Sequence, residues 1–115
     1  MIYHIVSKSD WTAVGDATHY RGDTLDTEGF IHCSTLDQVL DTANYLFKGR
    51  EDLVLLQIDP SKLQSPLKYE DAGDGRLFPH IYGPLEVEAV VAVADFPPNA
   101  DGSFDLPGKY SGNLH

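Results

Sequence analysis

The six residues at positions 53–58 are Leu53, Val54, Leu55, Leu56, Gln57 and Ile58, and all but one are apolar. Side chains of a strand alternate between two faces, so a run without polar alternation predicts a strand that is buried on both faces. The clearest helix is predicted over residues 36–47. Apolar residues recur there at helical spacing, at Leu36, Val39, Leu40, Ala43 and Phe47.

Shorter segments complete the expected secondary structure. Strands are predicted at residues 3–6, 30–33, 67–70 and 88–96, the last of them buried through its middle, and a short helix at residues 10–14. Stretches rich in glycine, proline and aspartate predict a loop with at most a short strand at residues 16–29 and a loop at residues 71–84. An irregular strap is predicted over residues 97–115. Strands outnumber helices without strict alternation, which predicts an α+β class with one main helix on a mostly antiparallel sheet.

Length and composition favour a single domain over residues 1–115. The chain is 42% hydrophobic and 23% charged, which is ordinary for a globular domain. Its net charge of −10 disfavours extended binding to nucleic acid and binding to an anionic membrane surface. That charge is compatible with local binding of a single phosphate group by backbone amides. With one cysteine and no recognisable membrane span or signal peptide, we expect a cytoplasmic protein.

Three of the five histidines lie where the local sequence fixes the imidazole. His4 and His32 lie inside predicted strands, and His80 lies in the rigid segment Pro79-His80-Ile81-Tyr82-Gly83-Pro84. Rigid non-repetitive segments that carry His and Tyr are often sites, so we predict a histidine-lined cleft. Taken singly, each histidine is more often a partly buried structural residue, and the prediction depends on their joint occurrence. No role is assigned to the other two, His19 and His115.

Ser34 and Thr35 follow the predicted strand at residues 30–33 and precede the predicted helix. Free backbone amides at a helix N-terminus, together with the two hydroxyl groups, predict a seat for one phosphate or carboxylate. The alternative is that both residues only cap the helix, since Thr35 and Gln38 fit a capping box. Helix capping by Ser34 and Thr35 does not explain why a histidine, His32, lies in the preceding strand.

Glu70, at the end of a predicted strand, is the candidate carboxylate of the cleft. A carboxylate at that position is suited to orient a ribose hydroxyl or to act as a general base. The alternative is an ordinary solvent-facing edge residue. Arg76 either meets a phosphate or pairs with Asp71 or Asp74.

Cys33 and the three histidines are also candidates for thiol and metal chemistry. Cys33 neighbours His32, but adjacent strand residues point to opposite faces, so we predict a small core residue rather than a nucleophile. His4, His32 and His80 could hold zinc in a catalytic geometry, although no pair has the spacing of a helical or hairpin ligand motif.

A wider set of residues resembles a known family. The set comprises Tyr3-His4-Ile5, Trp11, residues 28–35, Gln38-Val39 and residues 77–85. Over residues 2–107, the sequence resembles the uncharacterised bacterial family called domain of unknown function 952. At the level of fold, that family resembles the ADP-ribosyltransferase superfamily, which includes the RNA 2′-phosphotransferases. Those proteins have a small split β-sheet with a cleft that holds NAD or an ADP-ribosylated intermediate.

The resemblance implies an ADP-ribosyltransferase-like fold and a small nucleotide-like ligand, with NAD as a substrate and no metal. The first-strand residue that contacts a ribose or the nicotinamide pocket corresponds to His4, and His32 is the candidate on the second strand. The residues expected to bind the ligand are His4, His32, Ser34 and Thr35. The residues expected to serve catalysis are Glu70, His80 and Tyr82.

Three other functions remain open. The chain shows neither the Arg–Ser–Glu nor the His–Tyr–Glu triad of that superfamily, which favours a non-catalytic module that binds a nucleotide or a small anion. The third hypothesis is a metal-dependent hydrolase with His4, His32 and His80 as ligands. The fourth is an interaction domain whose histidines are structural, and fold analogy alone does not choose among them.

Overall fold

The computed structural model describes residues 1–22, 24–71, 73 and 75–107. Within these residues the strands are β1 (Ile2–Ser7), β2 (His19–Tyr20), β3 (Ile31–His32), β4 (Leu53–Ile58), β5 (Leu67–Asp71), β6 (Leu77–Ile81), β7 (Leu85–Glu86) and β8 (Val90–Asp95). The α-helices are α1 (Lys8–Thr12), α2 (Thr24–Glu28) and α3 (Val39–Leu46), and short 3₁₀ turns cover Pro60–Lys62 and Val87–Ala89. The predicted α+β class is confirmed.

The strands pair in three small antiparallel sheets. Their orders are β1-β4-β8, β2-β7 and β3-β6-β5. A bridge between Tyr3 and Ser34 connects the first sheet to the chain that leaves β3, with a 2.8 Å hydrogen bond in each direction between the two backbones. This bridge brings the His4 segment of β1 beside the His32 segment of β3.

The central strand β4 divides the interior into two cores. Val54, Leu56 and Ile58 point into a core shared with Ile31 of β3 and Ile81 of β6. Leu53 and Leu55 point into the other core, which also contains Val39, Ala43, Phe96 and Phe104. The predicted strand with two buried faces is therefore confirmed.

Helix α3 starts later than its apolar periodicity predicts, at Val39 rather than at residue 36. Only half of the predicted capping box forms: the Gln38 side-chain oxygen accepts a 3.0 Å hydrogen bond from the Thr35 N–H, but the Thr35 hydroxyl donates to Asp37. The Gln38 N–H donates to the Thr35 carbonyl oxygen at 3.0 Å rather than to the Thr35 hydroxyl, and residues 36–38 form a turn.

The loop predicted over residues 71–84 is wrong, since β6 occupies its second half as the middle strand of β3-β6-β5. Pro79 made a central strand look improbable because proline has no N–H for the ladder. In the structure, the Pro79 carbonyl accepts a 3.0 Å hydrogen bond from the Cys33 N–H, and β3 ends at His32, one residue before that pairing. The short β3 strand thus accommodates a proline within the sheet.

Three further expectations need correction. The loop predicted at residues 16–29 contains the short strand β2, which the prediction allowed, and also the helix α2, which it did not. The strand predicted over residues 88–96 starts at Val90, and its middle is not fully buried, because Val91 and Val93 are exposed. β8 lies at the edge of its sheet with one face towards solvent, so its apolar side chains do not report burial on both faces. The short helix predicted at residues 10–14 lies at Lys8–Thr12, capped by Ser7.

The described part of the tail, residues 97–107, contains neither helix nor strand. Phe104 is buried against Phe96, with ring centroids 4.9 Å apart, and its N–H donates a 2.8 Å hydrogen bond to the Asn44 side chain. The tail therefore packs over the core next to α3, and the rest of the predicted strap lies outside the described residues. No helix within the described residues is long and apolar enough to cross a membrane.

We expect the central strand and the edge strand β8 of the β1-β4-β8 sheet to respond very differently to substitution. Leu55→Ala removes a side chain with no exposed surface and should lower the free energy of unfolding by about 2–5 kcal/mol. Val93→Thr, on the solvent face of the edge strand, should change it by less than about 0.5 kcal/mol. Chemical denaturation of both variants measures the difference, and equal costs would contradict the assignment of β4 as the two-sided core strand.

Candidate functional site

The three histidines predicted to form a site come from three neighbouring strands. His4 is on β1, His32 on β3 and His80 on β6. All three line one cleft of about 900 Å³, together with Ser34. The cleft wall also includes α3, which contributes Asp41, Thr42, Tyr45 and Leu46. The predicted convergence of the histidines is present in the structure.

His4 connects β1 to β3 through its side chain. Its Nδ1 lies 2.6 Å from the His32 carbonyl oxygen, and its Nε2 lies 3.2 Å from the Tyr20 hydroxyl. Because a carbonyl oxygen only accepts, Nδ1 carries the proton and donates, and Nε2 of the neutral ring accepts from Tyr20. The orientation of the His4 ring is therefore fixed at both nitrogens.

The pairing of β3 with β6 places His32 directly opposite His80. Their ring centroids are 5.3 Å apart in an edge-to-face arrangement. Phe30 stacks on His80 at 4.2 Å, and Glu28 holds the Nε2 of His32 at 3.1 Å. Two imidazoles thus share one face of the β3-β6-β5 sheet, and an aromatic ring covers one of them.

His80 is held from the side of β5. Its Nδ1 lies 2.9 Å from a carboxylate oxygen of Glu70, and the same oxygen accepts a hydrogen bond from the Tyr82 hydroxyl. The hydrogen bonds from Tyr82 and His80 lower the pKa of Glu70 below its ordinary value, so its carboxyl group is ionised at neutral pH. The hydrogen bond to Glu70 raises the pKa of Tyr82, which therefore stays protonated. Tyr82 and His80 therefore both donate to Glu70.

This arrangement determines which His80 nitrogen can react. Because ionised Glu70 only accepts, the proton of His80 lies on Nδ1, and Nε2 carries the lone pair. Among the described residues, no hydrogen-bond partner is found for His80 Nε2. His80 lines the cleft, whereas Glu70 and Tyr82 are not among the residues that line it. A carboxylate-oriented imidazole with a free Nε2 is the arrangement of a general base.

The predicted anion seat at Ser34 and Thr35 does not form from their backbone amides. The Ser34 N–H donates to the Tyr3 carbonyl, and the Thr35 N–H donates to the Gln38 side chain. Ser34 is buried in the cleft floor, where its hydroxyl lies 3.2 Å from the Thr42 hydroxyl of α3. Thr35 does not line the cleft. Of the two residues, only Ser34 is placed at the site.

The remaining candidates are Cys33, His19, His115 and Arg76, of which Cys33 and Arg76 also line the cleft. Cys33 is buried, and burial raises the pKa of its thiol, which fits the predicted core residue. His19 is exposed and bonds to Thr18, and His115 lies outside the described residues. Arg76 pairs with Asp41 at 3.0 Å, a partner the sequence did not indicate, and the alternative pairing with Asp74 lies outside the described residues.

The geometry of the described residues does not support a metal site formed by His4, His32 and His80. Across the described ranges, no three His, Cys, Asp or Glu side chains are grouped as metal ligands would be. Both ring nitrogens of His4 are already engaged by chain groups, which leaves that residue without a lone pair for a metal.

Sequence reasoning gave no role to three residues that shape the site: Tyr20, Glu28 and Phe30. Phe30 and His32 are two positions apart around β3, a spacing that places both side chains on one face of a strand. Glu28 precedes His32 by four residues and reaches it from the end of α2. The contribution of Tyr20 carried no such local signal, because β2 pairs with the distant strand β7.

Comparisons with known proteins agree with this fold. The model of the family described as "Protein of unknown function (DUF952)" matches residues 5–93. The X-ray structure of protein CC0527 from Caulobacter crescentus is 34% identical, with a TM-score of 0.84 over 98% of this chain and 96% of that one. The solution NMR structure of CC0527 is 35% identical, with a TM-score of 0.78 over 96% and 94%. No curated protein matches.

Fold and cleft together define a small α+β protein with antiparallel sheets and histidines from three strands around one cleft. The chain belongs to the DUF952 family, because the match to the family model spans most of its length.

The Glu70 hydrogen bonds predict a pH dependence of stability. A carboxyl group with a lowered pKa in the folded state stabilises the protein above its unfolded pKa, near 4.5, and loses that contribution as the pH falls through the lowered folded value. The wild type should therefore exceed Glu70→Gln in melting temperature at pH 7, and this difference should shrink below pH 4.5. Thermal melts of both proteins from pH 7 to pH 3 measure it. A pH-independent difference would show that the ionised form of Glu70 is not what the contacts stabilise.

Proposed function

We propose that the cleft binds NAD or an ADP-ribose derivative and that the protein is an ADP-ribosyltransferase-like enzyme. The observation that carries the proposal is the oriented His80 imidazole, held by Glu70 and facing His32 across a 5.3 Å ring separation. The cleft volume of about 900 Å³ suits a ligand of dinucleotide size. The family resemblance inferred from the sequence points to the same ligand class.

The reaction requires a positioned ribose and a base, without a metal. The bond between C1′ of the ribose and the nicotinamide nitrogen breaks, and neutral nicotinamide leaves with the bonding electrons. A hydroxyl nucleophile, water in the simplest case, forms the new bond to C1′, and its proton passes to Nε2 of His80. Ionised Glu70 then stabilises the imidazolium that results.

The roles of the remaining residues follow from their contacts. His32 and Ser34 line the cleft and are proposed to contact ribose or phosphate oxygens. His4 lines the same wall and is proposed to contact a ribose while fixing the His32 segment through the 2.6 Å hydrogen bond to its carbonyl. Glu70 and Tyr82 act through His80 as positioning residues. Thr35 is proposed to act only through the turn before α3, because it lies off the cleft.

A second candidate is a non-catalytic module that binds the same nucleotide class. The stacking of Phe30 on His80 favours it, because His80 is buried and Phe30 covers part of the approach to its ring. The two candidates differ in turnover: the enzyme releases nicotinamide from NAD, and the module binds NAD without consuming it.

Titration of the chelator-treated protein with NAD, ADP-ribose and AMP tests the ligand class. We expect NMR shifts at His4, His32, Ser34 and His80, and nicotinamide release from NAD identifies an enzyme. Binding without release selects the non-catalytic module. If none of the three ligands produces shifts, the proposed function is wrong.

His80→Gln tests the assigned base with a side chain of similar length. Loss of the imidazole should lower nicotinamide release at least about 100-fold, in line with the usual contribution of a general base. His19→Ala is the matched control, since His19 is exposed and does not line the cleft. Melting temperatures of both variants separate a catalytic loss from unfolding, and full activity in folded His80→Gln would refute the role of His80.

A further inference from the structure

Helix α3 presents two different faces. Val39 and Ala43 are buried in the core beneath the helix. Asp41, Thr42, Tyr45 and Leu46 line the cleft instead, and their positions fall four residues apart in two pairs, as expected for one stripe of a helix. Part of the cleft lining is therefore a helical surface, separate from the strands that carry the three histidines.

Tyr45 is the exposed aromatic ring of that surface. Its exposed fraction of 77% is the largest among the exposed large apolar side chains of the described chain. Leu46, beside it, is also exposed. Such side chains at the edge of a cleft leave apolar area in water that a bound ligand would cover.

Four other aromatic rings that line the cleft have partners. Phe30 stacks on His80, and Tyr20 packs against His4 and Trp11. The guanidinium groups of Arg50 and Arg76 lie over two further rings, those of Phe47 and Phe78. Within the described ranges, no ring, cation or hydrogen-bond partner is found for Tyr45. Tyr45 is thus the cleft ring whose face is left for a ligand.

We infer that the Tyr45 ring is the stacking platform for the base of the nucleotide ligand. This inference rests on the proposed function, because it takes the ligand of the cleft to be a nucleotide. A base offers a flat π-face that stacks on tyrosine without requiring directional hydrogen bonds. The assignment puts the base against α3, and the reacting ribose against the strands that carry the histidines.

Paired ligands with and without a base test this assignment. AMP and ribose 5-phosphate share the ribose and the phosphate, so the ratio of their affinities isolates the contribution of the base. We expect Tyr45→Ala to weaken AMP binding about 5- to 100-fold and to leave ribose 5-phosphate binding unchanged. Tyr45→Phe should bind AMP as the wild type does, because the ring is retained.

Two controls distinguish stacking from general effects. Tyr69→Ala removes another exposed tyrosine that does not line the cleft, and it should leave both affinities unchanged. Tyr45→Leu keeps apolar surface but removes the ring, so it should weaken AMP binding as Tyr45→Ala does. Wild-type affinity in Tyr45→Leu would show that apolar contact alone is sufficient and would overturn the stacking role.

The failures of the two proposals are distinguishable. If the wild type binds AMP and Tyr45→Ala binds it equally well, the platform is wrong and the nucleotide cleft stands. If the wild type binds none of NAD, ADP-ribose and AMP, the proposed function fails, and the platform fails with it.

Discussion

The rest of the structure depends on the burial of β4 on both faces. Its alternate side chains enter two separate cores, so the strand must be flanked by β1 and β8 in the sheet and covered above and below. Ile31 and Ile81, which belong to the sheet that carries His32 and His80, pack into one core. Helix α3 packs against the other core. Both walls of the cleft are thus anchored to the same apolar strand.

The chemistry of the site follows from strand register. In an antiparallel pair, residues that face each other across strands share one face of the sheet, and β3 and β6 are aligned so that His32 meets His80. A slip of one residue would turn His80 towards the core and Ile81 towards the cleft. Ile31 and Ile81, paired and fully buried, make that slip costly. Burial of the Ile31–Ile81 pair therefore fixes the register that places His32 opposite His80.

Much of this could be predicted from the residues. The run at residues 53–58 identified β4, and helical periodicity identified α3 to within a turn. β6 was not predicted from the sequence, because it contains Pro79, and a proline lacks the N–H that a central strand normally uses. The proline is tolerated because β3 ends before the position that pairs with it. Val91 and Val93 suggested a buried strand, but composition does not distinguish an edge strand from a central one.

The sequence by itself determined the α+β class, the core strand, the main helix and the residue types of the cleft. Those properties are local: they depend on periodicity, chain stiffness and composition. Only the tertiary structure decided that Glu70 and Tyr82 hold His80, that His4 bonds to the His32 carbonyl, and that Ser34 rather than Thr35 faces the cleft. Each of these contacts joins residues whose separation along the chain says nothing about their distance in space, because strand pairing and register set it.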